Sequence, residues 1–121
     1  MTNADDAMAE SQLPELLDVR ELSAAVQEPY HNRALTTVND HEVRMSVMTG
    51  PFGWHCHPDS DETFLVVEGG LVIEFETGEV LLRPGQMLTV PREVPHRTRP
   101  EGARSVNLTV ERAGAGTIFQ E

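Results

Sequence analysis

The sequence predicts an all-β sandwich or barrel preceded by one short helix, and three observations predict it. From Arg33 onward the chain is a succession of short runs rich in Val, Thr, Leu and Ile. Turn signals separate these runs at Asn39-Asp40, Gly69-Gly70, Thr77-Gly78 and Pro84-Gly85. No later stretch offers the helical period over as many as about ten residues. At 121 residues the chain suits one domain with one core, so one site is sought.

Residues 1–12, MTNADDAMAESQ, are polar and acidic without periodicity, as expected of a disordered leader. A single domain is expected over 13–112, followed by a tail over 113–121. In LPELLDVRELSAAVQEP, Asp18 and Glu21 have capping-box spacing, and Leu22, Ala25 and Val26 form an apolar stripe before Pro29. A helix is expected over about 18–27. RALTTV leads through Asn39-Asp40 into HEVRMSVMT, where Val43, Met45 and Val47 alternate with Arg44 and Ser46. That pattern predicts a hairpin with its apolar face buried. GPFG breaks the strand. ETFLVVE is expected to turn at Gly69-Gly70 and return as LVIEFE, with EVLLR following Thr77-Gly78. QMLTVP, VPHRTR and RSVNLTVE supply three further short strands, making about eight in all.

Composition narrows the functions. Asp and Glu number 20 against 9 basic residues, a formal net charge of -11 that repels nucleic acid and anionic membrane surfaces. All the basic residues are arginines, so no lysine is present to form a Schiff base. No apolar run approaches the ~20 residues that span a bilayer, and no membrane partner is expected. The N-terminus lacks the basic start and apolar centre of a secretory signal, and Cys56 is the one cysteine, so a cytoplasmic location is expected.

The informative constellation is His55-Cys56-His57, then Glu62, then His96 far downstream. In a strand, residues two apart share a face, so His55 and His57 present both imidazoles to one point while Cys56 faces away as a small packed residue. A turn over Pro58-Asp59-Ser60-Asp61 brings Glu62 back, and His96 completes the set from a neighbouring strand. Three nitrogens and one oxygen suit Mn, Fe, Co, Ni, Cu or Zn better than Ca or Mg. Met45, Trp54, Phe52 and Phe64 are candidates for a substrate pocket, with core filling as the competing role. His31 and His41 are expected at solvated strand ends. Arg97 and Arg99 alternate with an inward His96 and should point outward, leaving no clear phosphate clamp.

Gly50, His55, His57, Glu62 and Gly69, followed by Gly85, Pro91 and His96, resemble the two motifs of the cupin superfamily. The match covers most of residues 33–110. Gly50 precedes His55 by one residue fewer than the family pattern, with Gly53 nearer; Glu93 replaces a common glycine, and Pro100 a common asparagine. Asn107, on a separate strand, is not read as its substitute. The resemblance implies a small cupin β-barrel, a double-stranded β-helix or jelly roll, with one divalent transition metal (Fe, Mn, Ni, Cu or Zn) at its mouth and a homodimeric assembly.

Two functions follow as expectations. The first is a metal-dependent oxidoreductase, isomerase or lyase acting on a small oxygen-bearing metabolite, with Glu62 as metal ligand and proton acceptor. The alternative is a non-catalytic module that binds a small ligand or metal. Residues 1–32 are acidic and too short for a helix-turn-helix, so a DNA-linked output is not expected.

Overall fold

The coordinates are a computed structural model describing residues 13–120; the leader expected over 1–12 lies outside the described residues. Asp18 caps helix α1 (Val19–Ala24), its carboxylate accepting the Glu21 N–H at 3.1 Å. The helix is shorter than the expected 18–27. Val26 N–H bonds to the Ser23 carbonyl and closes the last turn, and the chain then extends toward Pro29.

Eight strands follow: β1 (Tyr30–Val38), β2 (His41–Met48), β3 (Phe52–Cys56), β4 (Glu62–Phe75), β5 (Gly78–Leu82), β6 (Met87–Val90), β7 (His96–Arg112) and β8 (Ile118–Phe119). The pairings are antiparallel, and β4 and β7 form the spine of the barrel. On the far side of β7, its C-terminal half carries β2 and then β1, while its start carries β3 and then β8. β5 and β6 pair with the two ends of β4.

Two expected turns are absent. The chain does not reverse at Gly69-Gly70: β4 runs through both glycines, and the register with β7 shifts between Val66 and Gly70. Gly69 has a φ of 73°, and a Cβ there would lie 2.1 Å from the Arg104 carbonyl oxygen, so these glycines bend the strand rather than reverse it. VPHRTR and RSVNLTVE are likewise parts of one strand, because β7 follows the bend of β4. One long spine can thereby serve both halves of the barrel.

The pleat of β2 also differs from expectation, since both of its faces are covered. Met45 and Val47 face away from the barrel interior and pack with Val106 beneath Val19, Leu22 and Val26 at the N-terminal segment. The opposite face, Glu42, Arg44, Ser46 and Met48, lines an interior cavity. The other cluster, Phe64, Val66, Leu71, Ile73, Leu82 and Val90 with Met48, fills the rest of the barrel. Among the described residues, no helix is long and apolar enough to cross a membrane.

Candidate metal centre

The ladder between β3 and β7 sets the centre. His55 and His96 are register partners on these antiparallel strands, which brings their rings to 4.3 Å between centroids. Between the pairs Phe52↔Thr98 and His55↔His96, β3 contains one more residue than β7, a bulge at Gly53-Trp54. The bulge lets Phe52 and His55 both face inward although they are three apart in sequence. His57 follows β3, and short polar side chains fix the turn after it. Ser60 Oγ accepts from Arg112 N at 2.9 Å, Asp61 Oδ1 from Arg92 N at 2.8 Å, and Asp59 Oδ1 from Gly116 N at 3.1 Å. Glu62 then opens β4 with its side chain turned inward.

Each imidazole is oriented by a backbone carbonyl. The Nδ1–H groups of His55, His57 and His96 donate to Gly53 O at 2.7 Å, Gly116 O at 3.0 Å and Val94 O at 2.9 Å. A carbonyl can only accept, so Nδ1 carries a proton in each ring, and Nε2 presents a lone pair whenever the ring is neutral. Ligand atoms of His55, His57, Glu62 and His96 lie within 4.8 Å of one another, and all four residues are buried. Glu62 Oε1 is 3.1 Å from His57 Nε2 and 3.4 Å from His96 Nε2. Ligands at ~2.1 Å from a common ion stand about 3.0 Å apart at octahedral and about 3.4 Å at tetrahedral angles. His57 Nε2, His96 Nε2 and Glu62 Oε1 have no well-formed hydrogen bond, an expensive state for buried groups unless a cation sits among them. The four residues can therefore hold a metal ion.

Without an ion, protons take part of that role. The Glu62 carboxylate beside it pushes His57 up to about 9. Burial acts to raise Glu62, but His57 and His96 outweigh it and hold the carboxyl down at about 2. Burial lowers His55, with the neighbouring imidazoles adding to the effect.

Beside the centre lies a cavity of about 340 Å³. Phe64, among the expected pocket residues, lines it, as does Phe52. Met45 does not, because its strand position faces the outer cluster and leaves it fully buried there. Trp54 does not either: alternation within β3 places it under the Arg97 guanidinium, 4.9 Å from the ring centroid. Arg97 and Arg99 point outward as expected, and both pair with Glu74. Cys56 is half-buried opposite Ile118, and His31 and His41 are half-buried in β1 and β2.

Several polar residues of the cavity went unread in the sequence. Arg44 donates from Nε to Asn32 Oδ1 at 2.6 Å and from Nη1 to Glu42 Oε1 at 2.8 Å. Asn107, 1% exposed, and Thr109 add an amide and a hydroxyl. Glu111 is buried, and this burial, with Glu62 nearby, pushes its carboxyl up to about 7. The available signal was the alternation of polar and apolar residues from Glu42 to Val47 along β2, which fits a polar interior as well as a solvent face. The segment expected as a tail reaches the site too. Thr117 lines the cavity, and Phe119 packs against His55 at 5.8 Å between centroids.

Comparison with known proteins agrees with this geometry. The profile of the cupin domain matches residues 41–110. The uncharacterized protein YdbB of Bacillus subtilis (strain 168) is 45% identical over 97 residues, covering 79% of this chain and 85% of that protein. Among solved structures, a cupin-2 domain protein from Shewanella frigidimarina superposes with a TM-score of 0.75 at 26% identity, covering 80% of this chain and 94% of that one. The DMSP lyase DddQ from Ruegeria pomeroyi shares the fold, with a TM-score of 0.67 at 17% identity over 76% of this chain and 52% of that one.

Proposed function

The chain belongs to the cupin domain family, and from that premise we propose that His55, His57, Glu62 and His96 bind one divalent transition metal (Fe, Mn, Ni, Cu or Zn) in a metal-dependent enzyme acting on a small oxygen-bearing metabolite. The carrying observation is the convergence of buried acceptor atoms, Nε2 of His57 and His96 and Oε1 of Glu62, whose hydrogen-bonding capacity is unused. A divalent ion held there supplies Lewis acidity toward a carbonyl or hydroxyl oxygen, and four protein ligands leave room for substrate on a six-coordinate ion. The carbonyls of Gly53, Gly116 and Val94 hold the imidazoles in the ligating tautomer. The cavity walls position the metabolite, and Glu62, next to it, is the proton acceptor. With no lysine present and Cys56 on the opposite face from the histidines, a covalent route is poorly supplied, which favours dioxygenase, isomerase or lyase chemistry.

The same proposal includes one domain over 13–112, onto which the segment after it packs through β8, a cytoplasmic setting and a homodimer. Leu13 and Leu16, 69% and 92% exposed, support the dimer as apolar surface suited to a second copy.

Elemental analysis of untagged protein tests the centre, alongside His57→Ala and Glu62→Ala. About one equivalent of a transition metal is expected in the wild type and little in either variant. Wild-type protein that neither carries metal nor takes it up on reconstitution refutes the proposal.

A further inference from the structure

Arg44 is a cation turned into the interior of a strongly acidic protein, in the same cavity as the four candidate ligands. A guanidinium has five N–H bonds. Arg44 gives one from Nε to Asn32 and one from Nη1 to Glu42, so three have no partner among the described residues, including both on Nη2. Asn32 and Glu42 hold the group in place, and its side chain is 29% exposed. Both N–H bonds of Nη2 and the second of Nη1 remain, a fork that can receive a carboxylate in bidentate fashion.

Register places this fork relative to the centre. Arg44 pairs with Thr109 on β7, and Thr109 with Phe64 on β4, two residues beyond Glu62. Arg44 and Glu62 thus lie on strands two ladder steps apart, about 10 Å across the barrel wall. The cavity of about 340 Å³ joins them. At ~30 Å³ per water it holds on the order of ten non-hydrogen atoms. Ser46, Asn107 and Thr109 offer hydroxyl and amide partners along its wall, and Phe52 and Phe64 offer apolar contact. With a divalent ion bound and the imidazoles neutral, the ion and Arg44 balance the carboxylates of Glu42, Glu62 and Glu111. An anion then enters a cavity of no net charge with a positive group at each end.

We propose that Arg44 anchors the carboxylate of a small hydroxy- or oxo-acid whose oxygen at the other end reaches the metal centre. This assignment rests on the metal-binding proposal above and names the substrate class of that site.

The test loads the purified protein with cobalt(II) and titrates it with L-threonate and with threitol, which share a four-carbon hydroxylated chain and differ in the carboxylate. Calorimetry reads affinity, the visible cobalt spectrum reads contact with the metal, and the cobalt-to-protein ratio reads the centre itself. Threonate is expected to bind about tenfold or more tighter than threitol and to perturb the spectrum. Arg44→Gln should abolish that advantage while cobalt content and threitol affinity hold. Glu42→Gln should tighten threonate binding, because it removes the competing carboxylate; a purely structural Arg44-Glu42 pair gives no such gain. If Arg44→Gln fails to fold, Arg44→Lys replaces it, and partial loss of the threonate preference is expected because the charge stays and the fork goes. Equal affinity for the two probes, no binding of either, or a threonate preference undiminished by loss of the guanidinium overturns the assignment while leaving the metal centre intact. Failure to take up cobalt overturns both proposals.

Discussion

Metal uptake should release protons in an amount set by the site. Consider zinc added to the metal-free protein at pH 7. His57, held at about 9 by Glu62, is about 99% protonated there and must give up its Nε2 proton to become a ligand. Glu62, at about 2, is already ionised, and His55, lowered by burial, is neutral. Glu111, at about 7, is about half protonated, and an ion on Glu62 cancels part of the charge that holds it up. Roughly one to one and a half protons should therefore leave per zinc. Because the His57 proton is bound below about 9 and must be displaced, affinity rises with pH up to that value. Between pH 6 and pH 9 the His57 contribution is about five hundredfold, or about 3.7 kcal/mol at 1.36 kcal/mol per unit. Calorimetric titration in buffers of different ionisation enthalpy yields the proton count as a slope. Stoichiometric zinc binding with fewer than about 0.3 protons released at pH 7 would refute the assignment of His57 Nε2 as both proton carrier and ligand.

Three further outcomes are expected. Truncation after Arg112 removes the Gly116 carbonyl that orients His57, and should weaken zinc binding by ~10–100-fold in competition with a chelator; unchanged affinity would show that the segment is dispensable. Glu111→Gln should leave the metal-free protein more stable at pH 8 by at most about 3 kcal/mol and no different at pH 4. The sign follows from an acid held at about 7 when folded against 4.5 ordinarily, whose stabilising effect is lost as pH rises between those values; thermal melts across the range check it. Gly69→Ala should cost about 2–4 kcal/mol in urea denaturation, since it combines a φ of 73° with the Arg104 clash, whereas Gly53→Ala, with nothing within 4 Å of the new Cβ, should cost far less.

The all-β class and the His55, His57 and Glu62 part of the metal constellation were legible because each rests on local spacing, while His96 was joined to them by the second cupin-like motif. His55 and His57 alternate around Cys56, and turn residues punctuate the strands. What escaped depended on pairing between distant segments. Gly69-Gly70 has the composition of a turn, yet the Arg104 carbonyl opposite makes it a bend within β4. Alternation along β2 shows that Arg44 and Met45 lie on opposite faces, but not which face looks into the barrel. α1 decides that by covering Met45 and Val47. Glu111 and Thr117 lay beyond recognition because nothing in their own neighbourhood differs from an ordinary strand end or tail.

The bulge at Gly53-Trp54 absorbs one residue of β3 that has no counterpart on β7. Without the bulge, the three-residue step from Phe52 to His55 would put one of the two on the outer face; deleting one residue there would instead give a regular two-residue step matching Thr98 and His96, with both still inward. A lineage could thus shed the bulge through a single in-frame codon deletion and keep the first histidine facing the centre. The two-residue turn Glu76-Thr77 between β4 and β5 carries none of the four ligands and should absorb insertions without moving them.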